Sequence, residues 1–153
     1  MAVSLTETDI THALHSHHTV LYFHGNAASR AAPHRVRFYS QWTSRVKANV
    51  LAIDYRGFAD SEGTPSEEGL GIDGRAAWNW LTGRGARPND ILLFGQSLGT
   101  AVVAKVAHEL SLEGERSLSP YCVTLDHFQV SSRGGPPCLG PLLTWRLYWK
   151  HTI

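Results

Sequence analysis

A chain of 153 residues with 42% hydrophobic and 18% charged side chains is sized for one domain and too apolar to be disordered throughout. Its formal net charge of +1, with basic residues scattered and matched by acids, gives no general attraction to nucleic acid or to an anionic membrane. No apolar run reaches the roughly 20 residues that a membrane helix needs, and the opening MAVSLTETDITHALHSHH has no secretory pattern, so no transmembrane segment is expected and the cytoplasm is the default compartment. Cys122 and Cys138 form no Cys-x-x-Cys pair and read as free thiols, with no metal site expected.

Residues 1–18 read as a solvated N-terminal segment in which His15, His17 and His18 could gather a metal only adventitiously. Residues 19–24 (TVLYFH), β-branched and aromatic and ending at Gly25, read as a buried strand followed by a tight turn. Pro33 suits the first turn of a helix, and Val36, Tyr39, Trp42 and Val46 recur at near-helical spacing as its apolar face. Residues 49–53 (NVLAI) are a second strand, running into the polar loop 54–63 (DYRGFADSEG). Thr64, Pro65 and Glu67 fit an N-cap, a first-turn proline and a capping-box glutamate for a helix carrying Leu70, Ala77, Trp80 and Leu81, although Gly69, Gly71 and Gly74 allow it to begin a turn later. Gly83, Gly85 and Pro88 stop that helix, residues 91–94 (ILLF) form a third strand, and residues 98–110, rich in Ala and Val, form a largely buried helix.

Strands alternating with helices at this spacing predict an α/β fold, a mostly parallel sheet with helices on both faces, over residues 19–120. Residues 121–153 form a divergent tail whose Gly and Pro content allows disorder, with only 121–125 (YCVTL) suited to a fourth strand.

Gly95-Gln96-Ser97-Leu98-Gly99 follows a strand directly and opens a helix. The bare pattern arises by chance in roughly a few percent of chains of this size, so the strand-turn-helix context carries the weight. In that context it is a nucleophile elbow: flanking glycines permit a turn too tight for a Cβ and push the Ser97 oxygen into the cleft. The helix start behind it favours developing negative charge. Oxyanion donors are then expected from the N–H of Leu98 and, across the cleft, from Asn26 or Ala27 in the His24-Gly25-Asn26-Ala27 turn. A phosphate-binding turn is the competing reading, but the segment lacks the Lys-Ser/Thr of a P-loop. His24 at a strand end reads as structural, and Asp54, Arg56, Asp60 and Ser61 as loop-stabilising residues.

Three ordered segments, HGNAASRAAPHRVRFY, VLAIDYRGFADSEGTPSEEGL and LLFGQSLGTAVVA, resemble the monoacylglycerol and lysophosphatidylserine lipases of the α/β-hydrolase superfamily over about residues 19–112. The resemblance implies Ser97 as nucleophile, Asn26 and Leu98 as oxyanion donors, a structural role for the DYRG loop, a lipid ester or other small acyl substrate, and no cofactor. Better-known members are anchored in the endoplasmic reticulum membrane, which implies association there and allows peripheral membrane contact. Members carry the catalytic acid and histidine after later strands, so the expectation is a partial α/β-hydrolase with its later strands missing and an incomplete triad.

Within the chain, Asp126 and His127 keep the order nucleophile, acid, histidine, but adjacent residues of an extended segment point to opposite faces. His108 lies about 16 Å from Ser97 along one helix axis, and His151 is placed only by the tail. Negligible turnover is therefore expected, with self-association through an apolar edge left on the Ser97 strand. A catalytically inactive fragment acting by binding, and an aminopeptidase-like or acylprotein-cleaving serine hydrolase, are the alternatives.

Overall fold

The run TVLYF becomes β1 (Thr19–Phe23), and its period-2 alternation divides the molecule, with Leu21 and Phe23 entering one hydrophobic layer and Val20 and Tyr22 the other. The computed structural model describes residues 5–114 and the backbone of 122–125. Beside β1 stand β2 (Asn49–Ile53) and β3 (Ile91–Gln96), with β4 (Cys122–Leu125) beyond β3. All pairings are parallel and the order is β2-β1-β3-β4, with Thr19 opposite both Asn49 and Ile91. The Ser97 strand therefore has no open edge on that side. Its outer backbone groups pair with β4 from Leu93 opposite Cys122 to Gln96 opposite Leu125, and the edges among the described residues are β2 and β4.

Helices cover both faces, as the alternation of elements predicts. Against Val20, Tyr22 and Phe94 lies α2 (Pro33–Gln41), continued by a π-helical turn, Trp42–Val46, that ends on Lys47 with φ 59°. The inward stripe of this helix is Arg35, Phe38, Tyr39 and Trp42. Tyr39 and Trp42 lie inside as expected, whereas Val36 and Val46 are exposed (47% and 60%), because the buried stripe starts at Arg35 and the wider π turn rotates Val46 outward.

The opposite face holds α3 (Glu67–Gly83) and α4 (Leu98–Leu112), which bring Leu70, Trp78, Leu81, Val102, Val103 and Val106 onto Leu21, Phe23 and Leu93. The α3 cap is Ser66, whose hydroxyl accepts from the Gly69 N–H at 3.0 Å, rather than Thr64. This places Pro65 outside the helix and makes Glu67 its first residue. Trp78 occupies the core, while Trp80 sits at the rim beneath the Arg84 guanidinium, 4.1 Å from its ring centroid.

The N-terminal segment is more ordered than its polarity suggests. Thr6 and Asp9 form a reciprocal capping box that starts α1 (Glu7–Ser16), Leu14 plugs into the α3–α4 layer, and Arg84 pairs with Glu7 at 2.7 Å. His17 and His18 stay exposed, and among the described residues no three potential ligands gather as a metal site. No described helix is long and apolar enough to cross a membrane.

The chain leaves β1 towards β2 on one side and β3 towards β4 on the other, so a crevice opens at the C-terminal ends of β1 and β3. Residues 24–29 and Ser97 occupy those two ends. The opposing α3–α4 contact is equally close: a Cβ on Gly74 would lie 2.8 Å from methyls of both Val102 and Val106, whereas one on Gly83 meets nothing within 4 Å. Gly74→Ala is expected to lose about 1–3 kcal/mol in urea denaturation, and Gly83→Ala to gain up to about 1 kcal/mol.

Candidate active site

Ser97 stands at the corner between β3 and α4 with φ 50° and ψ −115°, outside the helix it precedes. Few L-residues hold such a backbone, and strain of this kind persists only where the surroundings enforce it. Two glycines do so. A Cβ on Gly95 would lie 2.4 Å from the Gly99 carbonyl oxygen, and one on Gly99 would lie 2.0 Å from the Phe23 carbonyl oxygen. The Ser97 carbonyl accepts from the Thr100 N–H at 2.9 Å and the Thr100 hydroxyl at 2.7 Å, closing the first turn of α4. Ser97 itself is half-buried.

Across the crevice, the turn that leaves β1 abuts this corner: a Cβ on Gly25 would lie 3.3 Å from that of Ser97. Asn26, next in the chain, is half-buried, and Leu98, whose amide opens α4, is fully buried. Backbone carbonyls of this turn converge on Arg35, which is 3% exposed. Arg35 donates from Nη1 to the Ser29 carbonyl at 2.7 Å and from Nη2 to the Ala27 carbonyl at 2.8 Å, with a longer contact to Gly25 at 3.4 Å. Its Nε donates to the Gln96 side-chain oxygen at 3.1 Å, where the Tyr22 hydroxyl also donates at 2.8 Å. Sequence reasoning missed Arg35. The available signal was that 35, 38, 39 and 42 make a complete i, i+3, i+4, i+7 stripe once an arginine is admitted to it.

His24 is wholly buried and belongs to the framework, as a histidine ending a buried strand suggests. Its Nδ1 donates to the Gly25 carbonyl at 2.7 Å, its backbone carbonyl accepts from the Tyr55 hydroxyl at 2.9 Å, and its Nε2 lies 3.0 Å from Asp54 Oδ1, turned off the line of a hydrogen bond. Asp54, with a side chain 2% exposed, accepts from the Arg30 backbone N–H and from Arg30 Nη1, both at 2.6 Å. Ser61 donates to the Asp54 carbonyl at 3.0 Å, Arg56 makes a bidentate pair with Asp73, and Asp60 lies 3.6 Å from Arg30. The DYRG loop is thereby tied to the turn beside Ser97 and to α3. His108 sits in α4, eleven residues beyond Ser97. Asp126, His127, His151 and Cys138 lie outside the described residues, and of Cys122 only the backbone in β4 is described.

No protein-family model matches the chain. Among curated proteins it is 38% identical over 111 residues to lysophosphatidylserine lipase ABHD12 of Macaca fascicularis, a match covering 72% of this chain and 27% of that protein. Against the Danio rerio protein of the same name it is 39% identical over 99 residues, covering 65% and 25%. Protein ABHD12B of Homo sapiens is 42% identical over 96 residues, covering 62% and 26%. The chain thus matches about a quarter of the length of these relatives.

Burial holds the His24 ring below its ordinary value of 6.5; the Gly25 carbonyl and Asp54 act the other way, and the Arg35 charge reinforces burial. Above pH 6.5 the ring is neutral in both folded and unfolded chains, and its contribution to stability is complete. Below that, the unfolded chain binds a proton that the folded chain refuses, so stability falls with pH until the lowered folded value is passed. The expected slope just below pH 6.5 is at most about 1.4 kcal/mol per pH unit from this one group. Denaturation midpoints between pH 7.5 and pH 5 should show this decline in the wild type and lose that component in His24→Asn.

Proposed function

We propose, from the premise that this chain is a partial α/β-hydrolase homologous to the lysophosphatidylserine lipases, that its crevice serves acyl-ester hydrolysis with Ser97 as nucleophile. The observation that carries this reading is the strained serine at a strand-to-helix corner, with the residue-25 turn pressed against it. Such a corner exposes the hydroxyl oxygen to a carbonyl carbon, and the free amides at the start of α4 favour the negative charge that develops there. The Leu98 N–H and, from the facing turn, the Asn26 N–H are the proposed donors to the tetrahedral oxyanion. Ser97 attacks the carbonyl, a histidine takes its proton and returns it to the leaving alcohol, and water then releases the acyl group.

A lysophospholipid ester is proposed as substrate from the relatives, whose name specifies a lysophosphatidylserine lipase, and a monoacylglycerol ester from the resemblance of the three sequence segments. Neither the acid nor the base is assigned to a described residue. At about 16 Å along the helix from Ser97, His108 cannot act as the base. Loss of triad members costs up to about a million-fold in rate, while the oxyanion donors and binding retain about 10³–10⁴ over water. A low rate from the 153-residue chain is accordingly part of the proposal.

A fluorophosphonate probe tests it. The expected result is covalent labelling of the folded wild type at Ser97, abolished in Ser97→Ala, with ester turnover at most near the residual level. Labelling at another residue overturns the nucleophile assignment, and folded protein that stays unlabelled overturns the hydrolase reading in favour of a catalytically inactive fragment.

A further inference from the structure

We propose that Arg35 is a positioning residue that holds the oxyanion-donor turn and the nucleophile corner in register; this rests on the serine-hydrolase reading of the same crevice. Two features of its surroundings carry the inference. First, one guanidinium bridges the two halves of the site. Its Nη atoms grip the carbonyls of Gly25, Ala27 and Ser29, and its Nε grips the side chain of Gln96, the residue immediately before Ser97. A planar fork with fixed donor directions can bind several acceptors at once in one geometry, which a lysine ammonium cannot reproduce.

Second, the grip fixes the direction of the amides. In a planar trans peptide the C=O and the following N–H point in opposite directions. Where Arg35 draws a carbonyl towards itself, the next residue's N–H is turned away. The Ser29–Arg30 peptide displays this directly: its carbonyl is on Arg35 at 2.7 Å and its N–H is on Asp54 at 2.6 Å. In the Gly25–Asn26 peptide the carbonyl is held by His24 Nδ1 at 2.7 Å and by Arg35 at 3.4 Å, so the Asn26 N–H, the proposed oxyanion donor, is aimed away from Arg35 by the same means.

Arg35 is buried, and among the described residues no carboxylate lies within ion-pair distance of it. Its charge is therefore solvated by the dipoles of the turn it organises. A cation left unneutralised by a carboxylate in this way also favours negative charge developing in the crevice.

The test uses the full chain and a fluorophosphonate, separating the maximal inactivation rate constant from the half-saturating probe concentration, together with hydrogen exchange of peptides covering 24–30 and 95–98. Arg35→Gln and Arg35→Lys, compared at equal folded fraction, should each lower the rate constant about 10²-fold or more, the scale of losing one oxyanion donor, while half-saturation moves less than about threefold. Exchange should quicken in both peptides of Arg35→Gln, while peptides from α3 keep wild-type protection.

An unchanged rate constant in the folded variants overturns the proposal, as does wild-type exchange in either peptide or full rescue by lysine. If Arg35→Gln does not fold, Gln96→Met replaces it. That variant cuts the link between the guanidinium and the corner, and the proposal requires slower labelling at unchanged half-saturation. A wild type that never labels sinks the serine-hydrolase reading, whereas the exchange result decides separately whether Arg35 couples the two segments.

Discussion

The carbonyl oxygen of Phe23 and the backbone of Gly99 are in such close approach that no side chain fits between them. This contact sets how deeply the start of α4 sinks against the end of β1. Everything at the crevice follows from that depth. Gly95 must also lack a side chain because Gly99 passes over it, Ser97 is driven to a positive φ to turn the chain, and Gly25 arrives beside the serine. The parallel order with β1 between β2 and β3 then places these residues at the switch point of the sheet, since the connections depart in opposite directions.

Two arginines near this crevice do different work. Arg30, part-exposed, neutralises the buried Asp54 carboxylate and so fastens the DYRG loop to the turn after β1. Arg35 is surrounded by carbonyl and amide oxygens. Tyr55 and Tyr22 extend the two networks: burial raises both phenols above their ordinary value, so each keeps its proton and donates it, to the His24 carbonyl and to the Gln96 side chain respectively. Arg35 and Tyr22 share Gln96 as their common acceptor, so this glutamine is the junction between the aromatic layer under α2 and the strand-to-helix corner at Ser97.

The strands were legible in the sequence because β1, β2 and β3 are short β-branched, aliphatic or aromatic runs with turn residues after them, and the unbroken apolar run of β1 matches its burial on both faces. Ser97 was legible because its glycines are required by sterics that leave a residue-level trace. Buried polarity was not legible in the same way. Periodicity assigns arginine to solvent, so the stripe through α2 was read as Val36, Tyr39, Trp42 and Val46: Tyr39 and Trp42 do pack inside, but Arg35 takes the place given to Val36. A similar competition hid the cap of α3, where Thr64, Pro65 and Glu67 imitate a start signal while Ser66 makes the hydrogen bond. Helix α1 escaped notice because its stability comes from one capping box, one buried leucine and a salt link to Arg84 rather than from a broad apolar face. Pairing of β4 with β3 depended on long-range closure that a four-residue strand does not announce.

The backbone at Ser97 carries one more implication. A positive φ penalises every L-amino acid and suits glycine, so the residue that would sit most comfortably at this corner has no hydroxyl at all. Selection of variants for heat resistance alone would therefore favour glycine at position 97. A serine there is held against the grain of the backbone, so position 97 is where the fold gives up ruggedness for the identity of one side chain.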